Sequence, residues 1–203
     1  KIKDRVISSV FFGGGTPTVL SGETLAGILK GIMERANVAE DSEITIEANP
    51  ATLDAGKLRI LRTGGLNRLS IGCQSFDNAV LKTLGRIHSA EDAVRDFALA
   101  RESGFENISL DLMYGIPGQS IESLRESVLK AVSLRPEHVS AYGLSLEKGT
   151  PLAELVKRGE LALPDEEVVC EMYMTISSLL KESGYEHYEI SNFAKEAMGQ
   201  LPG

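Results

Sequence analysis

Short apolar runs rich in β-branched residues alternate along the chain with amphipathic helical patterns. Such short apolar runs are typical of strands whose two faces are both covered, so we expect buried strands in a sheet. The predicted strands span residues 9–12, 43–48, 68–72, 107–114 and 138–146, with a weaker candidate at 187–191.

The segments between these strands have the periodicity of helices with one apolar face. In the first of them, apolar residues recur at spacings of three and four from Leu25 to Met33, and Ser21 is a suitable N-cap. Further helices are predicted over 52–62, 89–104, 120–134 and 164–183. Residues 147–165 form a polar, partly helical excursion before the last helix.

Alternating strands and helices predict an α/β fold in which parallel strands are joined by right-handed crossovers. Such strands close into a full or partial barrel, or they form an open doubly wound sheet. In both arrangements the functional site lies at the carboxyl ends of the strands. No linker or low-complexity segment divides the chain.

Composition and charge exclude several classes of protein. The 203 residues carry a net charge of −8 without a basic run, which argues against nucleic acid as the main partner. No apolar run approaches the roughly 18 residues that a membrane helix needs, so no membrane span is expected. The only two cysteines, Cys73 and Cys170, fit a cytoplasmic protein and cannot form a metal or cluster site by themselves.

Polar residues that follow or interrupt the predicted strands are the candidates for a site. They are the glycine run and Thr16 of FFGGGTPT, then Glu47, Gln74, Asp111 and Ser145, with Arg86 on the connection that follows Gln74. Carboxylates, an amide, one guanidinium and exposed glycine backbone suit a zwitterionic amino acid attached to a nucleoside better than a triphosphate. Each residue taken singly also has an ordinary structural explanation, for example a tight turn at the glycines; their coincidence at successive strand ends favours a site.

Several longer blocks carry a family resemblance. FFGGGTPT, EITIEANP, NRLSIGCQSFDNAVLKTLGRIHS, NISLDLMYGIPGQS, PEHVSAYGLSLEKGTP and GYEHYEISNFA resemble the radical S-adenosylmethionine (SAM) family of oxygen-independent coproporphyrinogen III oxidases, in particular its HemW branch of haem chaperones. The resemblance implies a partial (β/α)6 radical SAM barrel over residues 1–194. Residues 195–203 are expected to be an unmatched tail or the start of a further domain.

The resemblance also implies which residues hold SAM. It assigns cofactor binding to Gly14, Gly15, Thr16, Glu47, Gln74, Arg86, Asp111 and Ser145. The glycine loop would receive the amino group of the methionine end, and Arg86 with Gln74 would hold its carboxylate and polar parts. Glu47 would contact the ribose hydroxyls or the methionine end, Asp111 would bind a ribose hydroxyl, and Ser145 would flank the adenosine.

The chemistry that the resemblance implies needs a 4Fe–4S cluster, which donates an electron to SAM and produces a 5′-deoxyadenosyl radical. The family holds that cluster with a C-x3-C-x2-C motif shortly before the first strand of this sequence. We therefore expect the cluster cysteines to lie outside this sequence, and the chain alone to assemble no cluster.

Three functions remain open at this point. The first is a haem chaperone, with haem as ligand and a haem-accepting protein as partner. The second is a coproporphyrinogen III dehydrogenase, which converts two propionate side chains of a porphyrinogen to vinyl groups. The third is an α/β nucleotide-binding domain without radical chemistry.

Overall fold

The computed structural model of the protein describes residues 5–195. Seven strands form one sheet in the order β1-β2-β3-β4-β5-β7-β6. Their bounds are β1 Val6–Phe12, β2 Asn37–Ala48, β3 Arg68–Gln74, β4 Asn107–Tyr114, β5 His138–Gly143, β6 Tyr185–Glu189 and β7 Asn192–Lys195.

The predicted parallel pairing is confirmed at the start of the sheet and does not extend to its end. β1 pairs in parallel with β2, and β2 pairs in parallel with β3. β7 is antiparallel to both β5 and β6. The last two strands are thus a hairpin that turns at Ile190 and Ser191, whereas the sequence predicted a single strand across that turn, at 187–191.

Two other predicted strand bounds also differ from the structure. β2 begins at Asn37, six residues before the predicted start, in a polar segment whose alternation is weak. β5 ends at Gly143 rather than at residue 146, so Ser145 lies beyond the strand. The predicted domain limit at residue 194 falls one residue before the end of β7, and residues 196–203 lie outside the described residues.

The bounds of the helices are α1 Gly22–Met33, α2 Ala55–Thr63, α3 Asn78–Thr83, α4 Ala90–Glu102, α5 Ile121–Leu134, α6 Pro151–Lys157 and α7 Glu166–Glu182, with a 3-10 helix at Pro17–Val19. The predicted helix starts are confirmed to within one residue for α1, α4 and α5, whereas α2 and α7 begin later than predicted. Ser21 caps α1 by accepting the backbone N–H of Thr24, as predicted. The predicted helix at 52–62 begins only at Ala55, because Asp54 is the N-cap and accepts the N–H of Lys57. The short helix α3 was not predicted.

Two compact units divide the described residues. One comprises residues 5–72 and 92–109, and the other comprises 73–91 and 110–195. In the first unit α1 packs against α2, and Leu29 and Leu58 on these helices are fully buried. In the second unit α5 packs against α7, with Val128 and Ile176 fully buried.

The first strand is more exposed than its sequence predicted. Val6 and Phe11 are 65% and 59% exposed, respectively, although both are large apolar residues. The physical reason is its place at the end of the strand order, where β2 is its only neighbour among the described strands. The prediction that both faces of this strand are covered is therefore wrong for the described residues.

Among residues 5–195, no helix combines the length and the apolar character that crossing a membrane requires.

Candidate functional site

The glycine loop after β1 has the conformation and the space that a bound ligand needs. Gly14 and Gly15 have φ angles of 81° and 61°, a left-handed region that other residues rarely adopt. No atom lies within 4 Å of the position that a Cβ would take at either residue. At Gly13, by contrast, a Cβ would lie 2.6 Å from the ring of Phe11. The loop thus needs glycine for packing at Gly13 and for backbone conformation at the next two positions, where a ligand can approach the main chain.

Glu47 lies directly beside this loop. The backbone N–H of Gly14 donates to Oε2 of Glu47 across 3.3 Å, and the carboxyl carbon lies 3.2 Å from the Cβ position of Gly13. The residue is half-buried near the end of β2. A carboxylate has more acceptor capacity than one amide uses, so Glu47 can also accept from an ammonium or hydroxyl group of a ligand.

Thr16 holds the loop to the segment that follows β2. Its Oγ1 accepts a hydrogen bond of 2.6 Å from the side-chain amide of Asn49. Thr16 therefore contributes to the shape of the loop through its side chain, whereas the sequence had indicated only that it belongs to a ligand-binding motif.

Gln74 has a strained backbone at the end of β3. Its φ angle is 67°, and the N–H of Ser75 donates to the carbonyl of Cys73 at 2.9 Å. This three-residue arrangement is a γ-turn with Gln74 at its centre, a rare conformation for a residue that has a Cβ. The same carbonyl lies 3.1 Å from Nε2 of His88, which is buried and donates to it. Strain of this kind persists where the surroundings hold it, and it is concentrated at functional sites.

Arg86 and Asp111 interact electrostatically in the second unit. Burial lowers the pKa of the Arg86 guanidinium, and the charge of Asp111 opposes that change. Both residues are half-buried. This guanidinium is desolvated enough to make a strong hydrogen-bonded ion pair with a ligand carboxylate.

Cys73 and Cys170 have different environments. Burial, first of all, raises the pKa of the Cys73 thiol far above its usual range, and the negative charge of Asp111 adds to the effect, although a hydrogen bond with the backbone of Ser75 opposes it. Cys73 is thus a protonated core residue. Cys170 is exposed on α7.

Ser145 lies in the segment after β5 and is exposed. Its hydroxyl donates to Oε1 of Glu147 across 3.3 Å. It lies two residues beyond the end of β5 at Gly143, so the prediction that Ser145 is within the strand is wrong.

Two polar residues that sequence reasoning did not assign, the buried Asp96 and the half-buried Lys57, support the same loops. Asp96 is fully buried on α4, and its Oδ2 accepts the N–H of Ala51 at 2.7 Å, where the backbone again has a positive φ. Lys57 on α2 donates to backbone carbonyls of two separate segments. The signal for Asp96 was available: it stands between Ala93 and Ala100 on the buried face of its helix, where a carboxylate needs a partner.

The structure brings the predicted residues together in two groups, one in each unit. Gly14 and Glu47 are in contact in the first, and Arg86 and Asp111 interact in the second. In the first unit a carboxylate lies beside open glycine backbone, and in the second a guanidinium and a carboxylate interact. By type, these groups match the ammonium, hydroxyl and carboxylate groups of SAM. Within the described residues, no three His, Cys, Asp or Glu side chains are grouped so that they could hold a metal ion.

Comparison with protein families gives a match to the radical SAM superfamily over residues 1–131. The Bacillus subtilis protein named heme chaperone HemW is 46% identical over 193 residues, which are 95% of this chain and 51% of that protein. The Bos taurus protein named radical S-adenosyl methionine domain-containing protein 1, mitochondrial, is 42% identical, over 94% of this chain and 43% of its own length. The chain spans about half the length of the curated relatives it matches.

Among solved structures, the chain resembles the coproporphyrinogen III oxidase HemN from Escherichia coli, described as a radical SAM enzyme. The TM-score is 0.83 at 29% identity, and the match covers 96% of this chain and 45% of that enzyme. This similarity confirms the predicted α/β fold class.

Proposed function

Because the chain belongs to the radical SAM superfamily, we propose that its protein is a haem chaperone of the radical SAM type, which binds haem and transfers it to an acceptor protein. The observation that carries this proposal is the 46% identity to the Bacillus subtilis heme chaperone over 95% of this chain. The low use of cysteine supports a reducing compartment, and we propose the cytoplasm.

SAM is the proposed ligand of the loop and strand-end residues. They are Gly14, Gly15, Thr16, Glu47, Gln74, Arg86, Asp111 and Ser145. The support is chemical: the open backbone at two left-handed glycines, the carboxylate of Glu47 beside them, and the desolvated guanidinium of Arg86 match the polar groups of a nucleoside-linked amino acid.

Each side chain then has a defined task. The Glu47 carboxylate accepts from the ligand ammonium while the Gly14 amide holds that carboxylate in position. The Arg86 guanidinium binds the ligand carboxylate, and Asp111 accepts from ribose hydroxyls while it balances the charge of Arg86. When bound together, SAM and a reduced 4Fe–4S cluster supply the one-electron chemistry of the family. We propose no cluster ligand among the described residues.

A coproporphyrinogen III dehydrogenase is the second candidate, and the similarity to the HemN structure favours it. That activity converts propionate side chains of the porphyrinogen to vinyl groups. The alternative of a nucleotide-binding domain outside radical chemistry has no support in the family match.

One experiment separates the two candidates. The full-length protein is reconstituted anaerobically with iron and sulfide, then given either haem or coproporphyrinogen III with SAM and a reductant. If the protein is a chaperone, its binding shifts the Soret band of haem, and it passes the haem to an apo-acceptor protein. Mass spectrometry should then show that coproporphyrinogen III is not converted. Formation of the divinyl product instead supports the dehydrogenase and contradicts a function restricted to haem transfer.

The SAM site is tested separately by isothermal titration calorimetry. We expect Glu47→Gln and Arg86→Met to weaken SAM binding at least about tenfold, since each removes one charge-assisted contact of about 1.5–3 kcal/mol. The matched controls Glu160→Gln and Arg158→Met alter an exposed ion pair and should leave the affinity unchanged. Equal affinity of all four variants would refute the assignment of Glu47 and Arg86.

A further inference from the structure

Lys57 connects two loops of the first unit. Its ammonium nitrogen donates to the carbonyl of Thr18 at 2.7 Å and to the carbonyl of Thr52 at 2.9 Å. Thr18 belongs to the 3-10 helix that follows the glycine loop, and Thr52 belongs to the segment between β2 and α2. Lys57 is half-buried, so its stem is held against the protein while its head bridges two backbone segments.

Side-chain hydrogen bonds join the same two segments. The Oγ1 atoms of Thr18 and Thr52 lie 2.7 Å apart, and the Thr52 hydroxyl donates to the carbonyl of Asn49 at 2.6 Å. Since a hydroxyl has one proton, Thr52 must accept from Thr18, and the hydrogen bonds run in one direction, from Thr18 to Thr52 to Asn49. The side chain of Asn49 in turn donates to Thr16 at 2.6 Å.

These two segments carry the residues that receive the ligand in the first unit. The glycine loop directly precedes Thr16, and Glu47 precedes Asn49 by two residues. The separation between the two segments therefore sets the contact of Gly14 with Glu47. The two hydrogen bonds of Lys57 go to the backbone segments that follow these two residues.

We infer that Lys57 is a positioning residue for SAM binding, which it serves by holding the glycine loop against the segment after β2. The inference rests on the proposed function. A loop ordered before the ligand arrives loses less conformational entropy on binding, so its affinity is higher. Holding both loops requires a donor with at least two protons and a long reach, which the lysine ammonium has.

Arg62 offers a matched control on the same helix and in the same unit. Its Nε donates to the carbonyl of Gly104 at 2.9 Å, so it too links a cation of α2 to a distant backbone carbonyl. That carbonyl lies in the segment between α4 and β4, away in sequence from both ligand loops. Replacement of Arg62 or Lys57 removes a comparable hydrogen bond from a side chain to the backbone, but only Lys57 donates to the segments of the proposed site.

The test compares Lys57→Met and Arg62→Met in the full-length protein with two measurements. Amide hydrogen exchange is followed for the peptides that cover residues 13–19, 49–53 and 103–106. SAM affinity is measured by titration calorimetry, at a temperature where both variants are folded. Lys57→Gln, which keeps a shorter neutral donor, replaces the methionine variant if that variant does not fold.

The expected result has two parts. Lys57→Met speeds exchange selectively in 13–19 and 49–53 and weakens SAM binding about tenfold, a change equivalent to about one hydrogen bond to a charged group. Arg62→Met speeds exchange in 103–106 and leaves the SAM affinity within about twofold, below the effect of one net hydrogen bond.

Other results would contradict either the role of Lys57 or the proposed SAM site. If the wild-type protein binds SAM and Lys57→Met binds it equally well, the inference is overturned and the proposed SAM site stands. Unchanged exchange of 13–19 and 49–53 in Lys57→Met overturns the inference regardless of affinity. If the wild-type protein itself fails to bind SAM, the proposed site is wrong and the role of Lys57 in it falls too.

Discussion

Nε2 of His88 lies 3.1 Å from the backbone carbonyl oxygen of Cys73, and both residues are buried. The same carbonyl accepts the N–H of Ser75 and closes the strained turn around Gln74. His88 therefore adds a second donor to the group that defines the turn. This contact connects the segment after α3 with the end of β3 and explains how a costly backbone conformation is retained.

Replacement of Gln74 by glycine should stabilise the protein while it weakens ligand binding. Glycine adopts a φ near 67° without the penalty of about 1–2 kcal/mol that a residue with a Cβ incurs. We expect Gln74→Gly to raise the free energy of unfolding by up to about 1 kcal/mol, measured by urea denaturation, and to lower SAM affinity in calorimetry. Higher stability with unchanged affinity would show that the strain has no connection with SAM.

Removal of the His88 imidazole should destabilise the protein and disturb Gln74. His88→Ala deletes a buried hydrogen bond, a loss of about 1–3 kcal/mol in the free energy of unfolding. We also expect weaker SAM binding, because the turn is less well held. In a Gln74→Gly background the effect of His88→Ala on SAM affinity should disappear; a full additive effect in the double variant contradicts the positioning of Gln74 by His88.

The left-handed glycines of the loop can be tested against a glycine of equal geometry elsewhere. Gly14 and Gly184 both have a φ of 81°, and neither has an atom within 4 Å of its Cβ position. An alanine at either position should therefore cost about 1–2 kcal/mol in stability. Only Gly14→Ala should weaken SAM binding in calorimetry, and equal losses of affinity in both variants would instead indicate a general effect of lower stability.

The two cysteines should differ sharply in reactivity. The raised pKa of the Cys73 thiol keeps it protonated, and its burial excludes reagents, whereas Cys170 is exposed. Iodoacetamide at about pH 8.5, near the ordinary thiol pKa, should alkylate the Cys170 peptide of the native protein, and both peptides after unfolding. Alkylation of the Cys73 peptide in the native state would contradict the buried, protonated thiol.

The same thiol predicts how stability depends on pH. Its folded pKa lies above its unfolded value, so above about pH 8.5 the unfolded chain loses a proton that the folded chain keeps. The contribution of the Cys73 thiol to the free energy of unfolding therefore falls as the pH rises further, by at most about 1.4 kcal/mol per pH unit. Chemical denaturation between about pH 7 and 10 should show this downward slope, and Cys73→Ala should reduce it.

The residues of the candidate site could be proposed from the sequence because the signals are local. A glycine run after an apolar strand, and polar residues such as Glu47 and Asp111 in otherwise apolar strands, are visible without any tertiary information. The end of β5 was predicted three residues too late, since the apolar pattern continues to residue 146 while the strand ends at Gly143. The β6–β7 hairpin was missed because short antiparallel strands depend on pairing with β5, which the sequence does not display.

By itself, the sequence determined the alternation of the main strands and helices, the N-cap of α1 at Ser21, and the chemical types of side chain at the strand ends. These follow from periodicity and composition, which depend only on near neighbours in the chain. The tertiary structure alone decided that Gly14 donates to Glu47, that Lys57 bridges two loops, and that Gln74 lies in a strained turn held by His88. The contacts of Gly14 with Glu47, of Lys57 with Thr18 and of His88 with Cys73 join residues 33, 39 and 15 positions apart, and such contacts exist only once the chain has packed.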